Sequence, residues 1–242
     1  MRKKSILITG GSSDIGIAIG KAFDEKNYKV ILSGRNEGKL KNAISHYTSS
    51  EHEYITCDLS TINSTAQLID QLKTVPDIII HAIGGNLQAH SPDTEIENWI
   101  NVFQLNLFSI INVNNYILKK LEASSSRATI IHISSSSAIH GNAAAPYGAA
   151  KAALNHYIKT LGRKYASKGI TVTGIMPSAV EGTTNNWAKA KLQTPDSYQQ
   201  TKDQQPLKRF QTPEEIANTC LFLSTPESSI FSGCVLSADA TI

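Results

Sequence analysis

Seven short apolar runs alternate with longer stretches of helical periodicity along the 242 residues, and no other feature constrains the chain as much. The runs are Ile6–Thr9, Lys29–Ser33, Glu53–Cys57, Asp77–His81, Ala128–Ile133, Thr171–Met176 and Cys234–Ser237. Several are unbroken, as in Ile78-Ile79-Ile80, which suits parallel strands covered on both faces. Helices are expected at Ile15–Lys26, Glu37–Tyr47, Ile62–Leu72, Ile96–Leu121, Tyr147–Ser167 and Pro213–Leu223. The last has Thr212 as N-cap, Pro213 at its first position and Glu214 and Glu215 in its first turn. The pattern predicts an α/β fold, a doubly wound parallel sheet with helices on both faces. With no linker or repeat dividing the chain, residues 1–242 are expected to form a single domain. Residues 178–211 are the longest stretch without an assigned element, and are expected to be a substrate loop or lid.

Composition narrows the function. A dispersed net charge of +3 gives no reason to expect nucleic acid as a partner. Cys57, Cys220 and Cys234 are odd in number and lack metal spacing, so they are expected to be buried reduced thiols, with no metal site. The basic start and the run Ser5–Ile8 imitate a signal peptide, but the run ends at Thr9-Gly10-Gly11. No segment approaches the roughly 20 apolar residues of a membrane span. A soluble, cytoplasmic protein with no membrane partner is the expectation.

Thr9-Gly10-Gly11-Ser12-Ser13-Asp14-Ile15-Gly16 joins the first strand to the first helix. Gly10 and Gly11 allow a tight turn and close approach to a pyrophosphate, Gly16 lets the helix pack near the sheet, and the helix amides face the anion. A protein reading the 2′-hydroxyl of NAD usually ends its second strand in a carboxylate, about 20 residues past the glycines. Here that strand ends Ser33-Gly34-Arg35-Asn36. The missing acid and the guanidinium fork of Arg35 both favour NADP (NADPH) over NAD.

Tyr147 and Lys151 stand at i and i+4, one turn apart on one helix face. Interconverting a carbonyl and an alcohol needs a proton donor or base, and a phenol of pKa ~10 serves if nearby positive charge lowers it. Ser134 to Ser137 follow the fifth strand and supply a hydroxyl to hold the substrate oxygen.

These motifs resemble the short-chain dehydrogenase/reductase family, in its 3-oxoacyl-carrier-protein-reductase-like branch, across nearly the whole chain. Thr9–Gly16 is similar to the family's glycine turn, Asp58-Leu59 to its adenine-contacting pair and Asn106 to its helix asparagine, which anchors a proton-relay water. Ser134-Ser135 resembles its serine motif, Tyr147…Lys151 its catalytic pair, Pro177-Ser178 its Pro-Gly turn, and Pro206–Ala217 its C-terminal segment. The resemblance implies a Rossmann fold and a catalytic tetrad of Asn106, Ser135, Tyr147 and Lys151. It also implies cofactor contacts from Gly10, Ser12, Ser13, Asp14, Ile15, Gly16, Arg35, Asp58, Leu59, Ala82, Gly84, Tyr147, Lys151, Pro177 and Val180. Motif order selects Ser135, whereas counting back from Tyr147 selects Ser134 unless one residue is deleted between Gly141 and Tyr147.

Four departures mark a divergent member. Asp14 replaces a glycine, where its side chain is expected to cap the helix. His81-Ala82-Ile83-Gly84 replaces Asn-Asn-Ala-Gly, Ser178 replaces a glycine, and the chain ends Asp239–Ile242 instead of Asp-Gly-Gly. His81 is expected to be a structural hydrogen-bonding residue. His140, Asn185, Asn186 and Trp187 fit either the substrate pocket or surface packing. The function implied is an NADP(H)-dependent oxidoreductase acting on a small-molecule carbonyl or secondary alcohol. Its alternatives are a non-catalytic dinucleotide-binding sensor or scaffold, and a sugar-nucleotide epimerase or dehydratase, for which the chain has little room. The family also implies a homotetramer or homodimer built through Ile96–Leu121 and Tyr147–Ser167.

Overall fold

A computed structural model describes residues 3–61, 64–141 and 144–239. The strands are β1 (Ser5–Thr9), β2 (Lys29–Gly34), β3 (Glu53–Thr56), β4 (Ile78–His81), β5 (Ala128–Ile133), β6 (Ile170–Pro177) and β7 (Val235–Ala238). They form one parallel sheet in the order β3-β2-β1-β4-β5-β6-β7. The order reverses between β1 and β4, which opens a crevice at their carboxyl ends.

Alternate residues of each strand feed separate cores. Leu7, Ile79, Ile130 and Val172 pack on one face against α3 (Ser64–Gln71), α5 (Ser109–Ser124) and α6 (Ala145–Tyr165). Ile6, Ile8, Ile80 and Ile131 pack on the other against α1 (Asp14–Glu25), α2 (Glu37–Ile44) and α9 (Pro213–Leu223). Two covered faces explain why the strands read as continuous apolar runs. Each fully buried isoleucine contributes about 1.5–3 kcal/mol.

Most expected elements form within a few residues of their expected bounds, and α9 carries the full capping box between Thr212 and Glu215. Ile62, where the third helix was expected to start, lies outside the described residues, as do 142–143 and the tail 240–242. Three expectations are corrected. The uninterrupted helix Ile96–Leu121 is α4 (Ile96–Phe103), a π-helical turn (Gln104–Phe108) and α5. Residues 178–211 are not irregular: they hold α7 (Asn186–Gln193) and α8 (Pro195–Gln204), packed around Ala179, Tyr198, Phe210 and Trp187 in a small core of their own. Cys57 and Cys220 are buried as expected, but Cys234 is exposed. Among the described residues no helix is long and apolar enough to cross a membrane, and no group of three His, Cys, Asp or Glu side chains is placed to hold a metal.

Candidate active site

The glycine turn closes on itself at the head of the crevice. Gly10 has φ +73°, and a Cβ there would lie 2.6 Å from the Ala82 carbonyl oxygen. A Cβ on Gly16 would lie 2.5 Å from the Gly10 carbonyl oxygen. Neither position admits a side chain. Ser13, not Asp14, caps α1: its hydroxyl accepts from the Gly16 amide at 3.1 Å and donates to the Gly10 carbonyl at 2.7 Å. The Asp14 carboxylate instead accepts from Thr183, at 3.0 Å from the amide and 2.6 Å from the hydroxyl, and from the Thr184 amide at 3.4 Å. Ser12 and Asp14 line a groove of about 470 Å³ with Asn36, Lys39, Thr183 and Thr184. Ile15 packs on the core behind the turn.

Arg35 is exposed at the end of β2, near Asp58. Hydrogen bonds from Ser60, and secondarily the Arg35 charge, hold the Asp58 carboxyl below its ordinary range. Leu59 is buried beside it. The Ala82 amide donates to the Thr9 carbonyl at 2.9 Å. Pro177 ends β6, Ser178 bonds Gln205 and Gln211, and Val180 forms an isolated bridge with Gln211.

The expected tetrad converges from three elements. The Ser135 side chain acts on the Tyr147 phenol and works to lower its pKa, whereas Ser134 is buried and donates to Asn155. Ser134 is thus engaged elsewhere, and Ser135 is the serine that acts on the tyrosine. Lys151 is 2% exposed, donates to the Ile133 carbonyl at 2.9 Å, and stands 5.6 Å from the Tyr147 ring centre. Among the described residues no carboxylate pairs with it. Burial lowers its ammonium to about 8. A buried cation without a carboxylate partner is costly to folding. Asn106 sits in the π turn, where helices commonly deform around a site. Its amide is committed to Gly85, as acceptor at 3.1 Å and donor at 2.8 Å, and to the Val102 carbonyl. Gly84 threads between: a Cβ there would meet Asn106 Oδ1 at 2.7 Å and Lys151 Nζ at 3.1 Å.

Burial raises the Tyr147 phenol above its ordinary value, and the neighbouring Ser135 side chain only partly offsets this. The phenol is thus held protonated, the form needed to donate.

Beneath the crevice runs a buried row that the sequence did not disclose. His132 Nδ1 lies 3.2 Å from the Thr173 carbonyl, which can only accept, so that nitrogen carries the proton. Its Nε2 then accepts from the Asn114 amide at 3.0 Å. Asn114 Oδ1 accepts from His81 Nε2 at 2.9 Å, leaving His81 Nδ1 to accept from the Thr9 hydroxyl at 3.1 Å. The two rings stack with centres 5.1 Å apart. His81 is thus structural, as expected, in place of the family's asparagine. Desolvation, with Lys151 nearby, lowers His81 to about 4 and His132 well below its ordinary value. Since His81 binds its proton far more weakly folded than unfolded, its contribution to stability is complete above pH 6.5 and is lost as pH falls toward 4. Urea unfolding at pH 7.5 and pH 5 should differ by ~2 kcal/mol from this ring alone. Equal stability at the two pH values would contradict the neutral row.

A parallel sheet with a glycine turn at its switch point, and a phenol, hydroxyl and buried ammonium at the next strand end, defines an oxidoreductase of the dinucleotide-binding class. Comparisons with known proteins agree. The family model described as Enoyl-(Acyl carrier protein) reductase matches residues 10–240. A 3-oxoacyl-[acyl-carrier-protein] reductase of Chlamydia muridarum is 30% identical over 98% of this chain and 96% of its own. A glucose 1-dehydrogenase of Gluconobacter oxydans is 27% identical over 98% and 90%. The crystal structure of a short-chain dehydrogenase/reductase family oxidoreductase from Burkholderia thailandensis superposes with TM-score 0.90 at 25% identity, covering 99% of this chain and 92% of that one. The chain belongs to the short-chain dehydrogenase/reductase family. It is an NAD(P)-dependent oxidoreductase that interconverts carbonyl and alcohol groups.

Proposed function

We propose that this protein is an NADPH-dependent ketoreductase that reduces a small-molecule carbonyl to a secondary alcohol. The observation that carries the reading is the buried ammonium of Lys151, which no carboxylate pairs among the described residues, 5.6 Å from the ring centre of Tyr147. The residues fit a dinucleotide: the turn at Gly10 and Gly16 has no room for side chains, and Lys151 keeps two N–H donors for ribose hydroxyls after bonding Ile133. Bound NADPH supplies hydride to the carbonyl carbon. Tyr147 gives its Oη proton to the carbonyl oxygen, and Ser135 holds that oxygen in line. Lys151 stabilises the phenolate left behind, and Asn106 fixes the Gly85 backbone beside it. The 178–211 segment covers the substrate. The reading includes a cytoplasmic homodimer or homotetramer, and the relatives named above make ketones, acyl thioesters and sugars the first substrates to try.

Cofactor choice rests on Arg35. Exchanging it for glutamate removes the fork that pairs a 2′-phosphate and adds a repelling charge. Arg35→Glu should lower kcat/KM with NADPH by about 100-fold, as expected for losing one or two charge-assisted hydrogen bonds, and should favour NADH. Steady-state rates with both cofactors against that carbonyl panel test this. A wild-type protein that prefers NADH would overturn the NADPH assignment.

A further inference from the structure

Gly182 to Asn186 run across the mouth of the crevice and are pinned at both ends. Asp14 holds Thr183 and Thr184 over the first turn of α1, and Asn186 donates to Asn86, in the segment after β4, at 3.3 Å. The approach to Asp14 is close enough that a Cβ on Gly182 would lie 2.5 Å from the carboxylate. Thr183 and Thr184 also wall the groove that Ser12, Asn36 and Lys39 line from below. Behind this strap, α7 and α8 are tied by Ala179, Tyr198, Phe210 and Trp187, a cluster separate from both main cores. The strap's own hydrogen bonds to the first turn of α1 and to Asn86 are exposed, so they can open without disturbing either main core.

We propose that Asp14 is a positioning residue that latches this strap over the phosphate turn and thereby sets the rate at which the dinucleotide enters and leaves. The inference rests on the dinucleotide-binding reading above and adds a gate to it. A glycine at position 14 has no side chain to hold the strap. The carboxylate reaches it from α1, and burial, which opposes ionisation, is outweighed by the Thr183 and Thr184 hydrogen bonds, so the latch is charged at neutral pH. A latch differs from a binding contact in what its loss changes: passage becomes faster in both directions, while affinity moves little.

Three proteins separate the possibilities, with NADPH as the probe: wild type, Asp14→Ala and Thr183→Val. Thr183→Val removes the hydroxyl bond and keeps the negative charge beside the phosphates; Asp14→Ala removes both. Stopped-flow nicotinamide fluorescence should show association and dissociation each faster by about threefold in Thr183→Val, and dissociation faster by about tenfold in Asp14→Ala. In Thr183→Val the Kd should move by less than about twofold, because both rates rise together. In cofactor-free protein, hydrogen exchange at the Thr183 and Thr184 amides should rise about tenfold in Asp14→Ala, with the sheet amides unchanged. Unaltered exchange at those two amides, or NADPH dissociation as slow in Thr183→Val as in wild type, overturns the gate and leaves the functional reading standing. Wild-type protein that binds neither NADPH nor NADH overturns the functional reading and the gate with it.

Discussion

Tyr147→Phe is expected to lower kcat by about 1,000-fold while leaving the Kd for NADPH within about twofold of wild type. The substitution deletes one oxygen. The ring keeps its place near Lys151, whose ammonium is held by the Ile133 carbonyl and not by the phenol. Ground-state binding therefore loses little, whereas the carbonyl oxygen loses its proton donor, an effect of about 10²–10⁴ in rate. Loss of cofactor binding in parallel with turnover would instead mean that the phenol holds the site together. Retention of more than a tenth of the activity would remove Tyr147 from the chemistry altogether. The experiment is single-turnover reduction at saturating NADPH, with binding measured separately.

The second large effect is on stability. Asn114→Leu preserves side-chain volume but leaves His81 Nε2–H without an acceptor and His132 Nε2 without a donor, both fully buried. Each orphaned group costs about 1–3 kcal/mol, so the variant should be about 4 kcal/mol less stable. In a chain of this size that is a fall of roughly 10 °C in Tm, readable by calorimetry. A loss below 1 kcal/mol would mean that water reaches the row and serves both rings.

What was legible in the sequence was what is local. Strands with both faces covered announce themselves as apolar runs, and the glycine turn and the Tyr147/Lys151 pair lie within a few residues of themselves. The helices α7 and α8 went unread because they bury almost nothing on the sheet. Along α8 only Tyr198 is buried, so no apolar period appears. Their quieter signals were Asn185 as N-cap and Pro195 at a first helical position followed by Asp196. The π turn around Asn106 has no compositional mark. The latch between Asp14 and Thr183 spans 169 positions, and the His81–Asn114–His132 row joins β4, α5 and β5. Pairing over such distances follows from tertiary packing. Burial of the Tyr147 phenol was likewise not legible, because spacing reveals a neighbouring charge but not how much water the fold removes.

The row beneath the crevice has a final consequence for how protons travel. Its far terminus is a backbone carbonyl, which can neither release nor take up a proton, and its midpoint is an amide that does not readily exchange one. Although it strings two imidazoles in line, it is an insulator and not a wire. On the mechanism proposed above, the proton that Tyr147 gives up in each turnover is not replaced through this row.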